Sequence, residues 1–259
     1  MSGVKSQVSG VKSQVSGTIE LALHLPLENM TSDSLDKLNK EVIACRRCPR
    51  LVEWREEVAR LKRKAYIDQE YWGKPVPGFG DAKARLLVVG LAPGAHGSNR
   101  TGRQFTGDAS GGFLFPALHR LGFANQASAE SRSDGLLLNG VYITASARCA
   151  PPGNKPSPEE LTNCQPYLER EIRILKPKVI VCLGRVAFER ILKIYSLGNS
   201  GWRFSHGAVH ALPSSSFDLH PSSLLCSYHP SQQNTSTGKL TTRMFDDIWK
   251  KATELIRDE

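Results

Sequence analysis

The stretch RLLVVGLAPGAHGSNRTGRQFTGDASGGF, Arg85–Phe113, holds a strand, a loop and a helix start in a single line. Its apolar run is continuous rather than alternating, the pattern of a strand covered on both faces. The run gives way to a Gly-rich loop that carries His96, Asn99, Arg100, Arg103, Phe105 and Asp108. From Gly111 onward, Phe115, Leu118 and Leu121 fall at near-helical spacing. Strand, polar loop and helix in this order form the first half of a βαβ unit.

Three more runs repeat the first pattern: GVYITASARC (140–149), KVIVCLG (178–184) and SSLLCSYHP (222–230). Helical segments separate them. SPEELTNCQPYLEREIRIL (157–175) opens on a Ser, a Pro and two Glu, which suits a helix N-terminus. RVAFERILKIY (185–195) forms another helix, TSDSLDKLNKEVIACRRC (31–48) precedes the first strand as one, and TTRMFDDIWKKATELIRDE (241–259) closes the chain as one. Crossovers of this length make parallel neighbours. The expected fold is α/β: a three-layer α/β/α sandwich around a central, mainly parallel four-stranded sheet. Ligands in such sheets bind outside the carboxyl ends of the strands. The unusual loops fall there: the Gly-rich loop, RCAPPGNKP (148–156) and HPSQQNTSTGKL (229–240).

The chain has 259 residues, 40% hydrophobic and 23% charged, which suits a single domain with a substantial core. No apolar run approaches the roughly 18–20 residues of a membrane span, so a soluble protein without a membrane partner is expected. Lys and Arg outnumber Asp and Glu by 34 to 25, a net charge of +9. Such an excess suits a polyanion, but many proteins that bind none share it. At the N-terminus SGVKSQV (2–8) is repeated at 9–15, with no aromatic residue to anchor a core. It has neither the apolar centre of a secretion signal nor an Arg-rich amphipathic pattern. Residues 1–20 are therefore expected to form a disordered tail, and residues 21–259 one domain. With no export signal, the six Cys point to thiol or metal chemistry rather than to disulfides.

Cys45 and Cys48 form a C-x-x-C motif in ACRRCPRL that ends the first helix, and Cys149 and Cys164 form a wider pair. Cys182 and Cys226 sit inside apolar runs as core thiols. Four thiolates suit zinc or a [4Fe–4S] cluster, and spacing does not settle which; four unrelated reduced thiols are the plain alternative. The loop GLAPGAHGSNRTGR matches neither a Walker A loop nor G-x-G-x-x-G, which argues against a nucleoside triphosphate or a dinucleotide. Asp108 precedes a helix and suits an N-cap, yet it shares its loop with several functional side chains. His229, followed by Pro230 and Ser231, stands where a strand end can present an imidazole to a cleft.

Together these loops resemble the uracil-DNA glycosylase superfamily, whose first motif follows the first strand and whose second contains His-Pro-Ser. The wording GLAPGAHGSNRTGRQFTGD, with RCAPPGNKP and HPSQQNTSTGKLT, is similar to the family 5, or type B, uracil-DNA glycosylases of bacteria and archaea. The likeness runs from about Cys45 to Lys239. It implies a structural [4Fe–4S] cluster on Cys45, Cys48, Cys149 and Cys164. It also implies that Phe105 stacks on a flipped base, that Asn154 bonds the base edge, and that His229 contacts the uracil carbonyl. Where many members of the superfamily carry an acidic or amide residue after the first Gly, this chain has Leu91 and Ala92 after Gly90, and Asp108 is the compensating carboxylate.

On this resemblance the expected activity is that of a monofunctional DNA glycosylase. It hydrolyses the N-glycosidic bond of uracil, and of other deaminated bases such as hypoxanthine, and so starts base-excision repair. Asp108 and His229 are the catalytic candidates. The backbone of the loop at Gly90, Ala92, Gly94 and His96 lies alongside the base, and Ser231 meets a phosphate. Damaged DNA is the partner, no divalent metal is needed, and the chain acts as a monomer in the cytoplasm at the nucleoid. A non-catalytic iron–sulfur nucleic-acid-binding module is the alternative. A nucleotide-processing enzyme needing Mg²⁺ finds no acidic cluster in the sequence.

Overall fold

The apolar runs become the centre of a six-stranded sheet in the computed structural model, which describes residues 33–212 and 223–257. The expected tail at 1–20 lies outside the described residues. In chain order the main elements are α1 (Leu35–Ala44), α2 (Pro49–Leu61), β1 (Phe79–Gly80), β2 (Leu86–Gly90), α3 (Ser98–Thr101), α4 (Ala109–Arg120) and β3 (Val141–Ala145). There follow α5 (Pro158–Leu175), β4 (Val179–Leu183), α6 (Arg185–Ile194), β5 (Val209–Ala211), β6 (Ser223–Ser227), α7 (Gln232–Ser236) and α8 (Thr242–Arg257).

The sheet order is β1-β3-β2-β4-β6-β5. The four inner strands are parallel, as their unbroken apolar sequences require. Two short antiparallel edges, β1 on β3 and β5 on β6, extend the expected four-stranded sheet. At two and three residues they are too short to carry a sequence period of their own.

Alternation along each strand divides the core into two layers. Leu86, Val88, Ile143, Val181 and Leu225 face α4 and α8, where Phe115, Leu118, Phe245 and Trp249 are buried. Leu87, Val89, Tyr142, Ile180 and Cys226 face the opposite way, against Leu168 and Ile172 of α5 and Phe188 and Ile191 of α6. The α/β/α sandwich follows directly from that period. Cys182 and Cys226 stand as neighbours across β4 and β6, fully buried, as core thiols.

One helix departs from the sequence reading. The C-x-x-C motif ends α1 at Cys45, but it also opens α2, with Cys48 at the N-cap and Pro49 at the first helical position. The motif therefore bridges a tight turn between two helices. α5 starts as expected: Ser157 and Glu160 cap each other reciprocally. The same Glu160 receives two hydrogen bonds from Arg50 of α2, at 2.7 and 2.6 Å, so one carboxylate fixes both helix starts.

Beneath the sheet's edge lies a fully buried ion pair. Arg148 donates to Glu171 Oε2 at 2.5 Å and also to the hydroxyl of Thr144, which itself donates to Glu171 at 2.8 Å. The pair joins the end of β3 to the middle of α5. Removing one partner strands the other as a buried charge, which costs about 3–5 kcal/mol. Glu171→Ala is thus expected to lower the thermal midpoint by roughly 10 °C in a calorimetric scan, a shift that size for a domain this large. An unchanged midpoint would show that Arg148 is stabilised elsewhere.

Candidate active site

Parallel topology brings the carboxyl ends of β2, β3, β4 and β6 to one edge. From β2 the chain first crosses to β3 on one side and then returns to β4 on the other. β2 is thus the switch point at which ligands of such sheets bind. It ends at Gly90, and the ring of Phe105 lies against that residue: a β-carbon on Gly90 would stand 2.7 Å from Phe105 Cζ. Phe105 holds this position with a left-handed φ of 52°, a conformation that costs a non-Gly residue free energy. Its carbonyl is fixed by close approach to Gly111, where a β-carbon would come within 1.8 Å. The Phe105 ring stacks on the imidazole of His229, with centroids 5.8 Å apart and planes 29° from parallel, so the two rings are in contact.

Asp108 follows on the same loop and performs the N-cap role that its sequence position suggests. Its Oδ1 accepts from the Gly111 N–H at 3.0 Å. The second oxygen, Oδ2, faces the Gly-rich loop, where β-carbons on Gly97 and Gly94 would lie 2.1 and 3.1 Å from it. These two glycines make the room in which the carboxylate sits. Burial pushes the Asp108 pKa up, against the pull of two backbone N–H groups and of Arg100.

The two arginines of the loop turn inward. Arg100 donates from Nε to His96 O at 2.7 Å and from Nη2 to Gly107 O at 2.9 Å, and its guanidinium lies 4.0 Å over the Tyr66 ring. It clamps both ends of the loop. Arg103 makes a bidentate pair with Asp134 at 2.8 and 2.7 Å. His96 is half-buried, with Nδ1 on the Tyr71 hydroxyl at 3.1 Å. Burial and the charges of Arg63 and Arg100 lower its pKa.

His229 leaves β6 opposite Gly184, whose α-carbon region lies against it: a β-carbon on Gly184 would be 3.5 Å from that of His229. Burial pushes the His229 pKa down to about 4, so the ring is neutral near pH 7. Its carbonyl accepts from Asn234 Nδ2 at 2.8 Å, and Ser231 caps the short α7 through the Asn234 N–H at 3.4 Å. Asn234 lay within a quoted motif, yet only the fold shows what it holds. Ala92 packs beside Ala147, Leu161 and Cys164. Asn154 is exposed in a 3₁₀ turn after β3, with a left-handed φ of 57° that Asn tolerates. Phe105, Asp108 and His229 are thus brought together with the glycines, while Asn154 stands on the next loop.

Cys45, Cys48, Cys149 and Cys164 line one cavity between α1, α2, the end of β3 and α5. Arg55, buried, donates to Cys149 Sγ at 2.8 Å, and Asn163 donates to Cys48 Sγ at 3.5 Å. Burial pushes the Cys149 thiol up to about 12 and raises Cys164, against the charges of Arg55 and Arg148 respectively. The Nε atoms of Arg55 and Arg148 are buried without a hydrogen-bond partner. Among the described residues no three His, Cys, Asp or Glu side chains converge tightly enough for a single ion. Arg55 is a residue the sequence did not reveal. Its guanidinium reaches a cysteine 94 residues on, and its carbonyl accepts from buried Asn99 of the Gly-rich loop at 3.2 Å.

A mainly parallel α/β sheet whose switch point gathers Gly90, Phe105, Asp108 and His229 defines the class. The chain belongs to the uracil DNA glycosylase superfamily, whose family model matches residues 77–253. It is 50% identical over 225 residues to the Type-5 uracil-DNA glycosylase of Mycobacterium leprae, covering 86% of this chain and 96% of the relative. To the Type-5 enzyme of Thermus thermophilus it is 53% identical over 213 residues, covering 82% and 94%. The Type-4 uracil-DNA glycosylase of Archaeoglobus fulgidus is more distant, 34% identical over 166 residues, covering 64% of this chain and 67% of the relative. Among the described residues no helix is long and apolar enough to cross a membrane.

The space left by Gly97 is what seats the Asp108 carboxylate. Gly97→Ala is expected to displace it and to lower the single-turnover rate of base release as far as Asp108→Asn does, with DNA affinity retained. A Gly97→Ala protein as fast as the parent would show that Oδ2 is not held there.

Proposed function

We infer that this chain removes uracil from DNA by hydrolysing its N-glycosidic bond, the step that opens base-excision repair. The observation that supports this most strongly is the Phe105 ring seated on bare Gly90 and touching His229, with Asp108 Oδ2 turned to the Gly-rich loop that they share. The bond is out of reach inside a duplex, so the nucleotide is extruded at a cost of a few kcal/mol, least for a mismatched U·G pair. Phe105 and the loop from Gly90 through Ala92, Gly94 and His96 form the wall that replaces lost stacking. Asn154 reads the base edge.

As the bond breaks, uracil departs as an anion and the sugar gains oxocarbenium character. A neutral His229 donates an N–H to the uracil oxygen, a preorganised contact of the oxyanion-hole kind. Asp108 offsets the positive sugar and orients the water that attacks it, taking up the water proton. No enzyme nucleophile bonds to the sugar, so the strand stays intact: the activity is monofunctional. Since Arg100 and Arg103 are engaged internally, phosphate contacts fall to loop N–H groups, Ser231 and exposed cations such as Lys155 and Lys239. With no carboxylate after Gly90, and with small Gly94 and Ala95 in the loop, there is room for hypoxanthine and other deaminated bases. The chain works as a monomer in the cytoplasm at the nucleoid.

Cys45, Cys48, Cys149 and Cys164 would hold a [4Fe–4S] cluster. The buried Arg55 guanidinium at that cavity, which donates to Cys149 Sγ and has an unpartnered Nε, supplies cationic compensation for thiolate ligands. Four Cys lining one cavity, with no His or carboxylate among its lining residues, supply the all-thiolate ligand set that such a cluster takes. When bound, such a cluster supplies a structural cross-link between α1, α2, the end of β3 and α5, and no chemistry at the glycosidic bond.

A labelled duplex with one U·G pair, incubated in EDTA and then treated with hot alkali, is expected to break only at the uracil and only after alkali. Asp108→Asn should slow release about 10²-fold or more, in the range of general-base losses. An intact strand that still binds would leave a non-catalytic binding module. His229 stays neutral between pH 8 and 6 and so adds no change of rate there, and the rate should fall towards acid as Asp108, its pKa raised by burial, is protonated. A rate that rises as pH drops through 6.5 would instead mean a cationic His229. Anaerobically purified protein should contain about four irons and four sulfides per chain, and Cys149→Ser should lose them. One zinc per chain would overturn the cluster.

A further inference from the structure

The exit of β6 that carries His229 is held by side chains rather than by a neighbouring strand. The Tyr228 N–H donates to His206 Nδ1 at 3.1 Å, the Tyr228 carbonyl accepts from the Ser227 hydroxyl at 2.9 Å, and the His229 carbonyl accepts from Asn234. His206 comes from the turn that leads into β5, a turn fixed to β6 through Gly207 N–H on Cys226 O at 2.8 Å. Its ring stacks on Tyr228 at 5.0 Å and 25°, and Lys239 lies over the same Tyr228 ring at 5.0 Å. Burial lowers the His206 pKa, which favours the neutral ring whose Nδ1 lone pair accepts the Tyr228 N–H. Because Nδ1 accepts that N–H, the proton of the neutral ring sits on Nε2.

We propose that His206 is a positioning residue for base release: by accepting the Tyr228 N–H it fixes the Tyr228–His229 peptide, and with it the direction of the His229 ring. At a strand exit this N–H has no ladder partner, so without His206 it turns to water and the peptide plane is freed. A donor aimed at a developing oxyanion loses its effect when displaced by a fraction of an ångström. The proposal rests on the reading of His229 as that donor.

His206→Phe keeps a ring over Tyr228 and removes the acceptor; His206→Asn places Oδ1 where Nδ1 stood. Single-turnover uracil release, duplex affinity and hydrogen exchange at the Tyr228 amide are measured for both. H206F should be slower by about tenfold, with affinity within about twofold and a faster-exchanging amide, and H206N should recover to within about threefold of the parent. H206F at the parental rate, or H206N as slow as H206F, would overturn the proposal. If H206F does not fold, H206L, matching H206N in shape without an acceptor, gives the same comparison. His229→Leu, which has no donor, is run alongside and separates the two readings: a slow H229L with a fast H206F sinks only the positioning role, whereas a fast H229L sinks the donor itself.

Discussion

The arrangement at the carboxyl edge of the sheet depends on one missing side chain. Gly90 ends the central strand with nothing above its α-carbon, and the Phe105 ring fills that space. The backbone there is not in the left-handed region, so glycine is needed for room and not for conformation. Once the ring is seated, the loop between must curl back over the strand, which brings Asp108 to the start of α4. The same ring forms the surface on which His229 rests. Strand, loop and imidazole, the last from a distant part of the chain, are thus located against each other by one aromatic ring.

The loop is tied down from below as well. Asn99 reaches the carbonyl of Arg55, Gly73 donates to the Asn99 carbonyl at 3.0 Å, and Trp72 donates to that of Arg100 at 2.8 Å. Arg55 in turn meets Cys149, and Val76 donates to the Arg148 carbonyl at 2.7 Å. The cysteine cavity and the Gly-rich loop are therefore successive links in one hydrogen-bonded chain. A group that cross-linked the four cysteines would stiffen the base of the loop without touching a substrate, which is how a remote structural centre serves a preorganised site.

Much of this was legible in the sequence, for physical reasons. Strands buried on both faces must be apolar without interruption, so β2, β3, β4 and β6 stood out, and the carboxyl-edge rule then placed the polar loops. α2 did not stand out, because its inward face includes Arg55, a residue whose burial is balanced by partners far along the chain. The edge strands were too short to show a period. Arg100 and Arg103 look like ligand-binding side chains in a loop, yet their partners are Gln69, Gly107 and Asp134, contacts that only the fold reveals. Asp108 illustrates the opposite case. A cap and a reactive carboxylate looked like rival readings, but Oδ1 alone makes the cap to Gly111 while Oδ2 turns to the loop, so the cap does not exclude the other role.

The most direct measurement is the single-turnover rate of uracil release by Gly90→Ala, taken with its thermal midpoint. A β-carbon there strikes the Phe105 ring at 2.7 Å while leaving the strand's backbone unstrained. A folded protein whose rate falls about 10²-fold, as expected when a catalytic geometry shifts by about 1 Å, is the predicted result. A folded Gly90→Ala protein that releases uracil at the parental rate would contradict the seating of Phe105 as the foundation of the site.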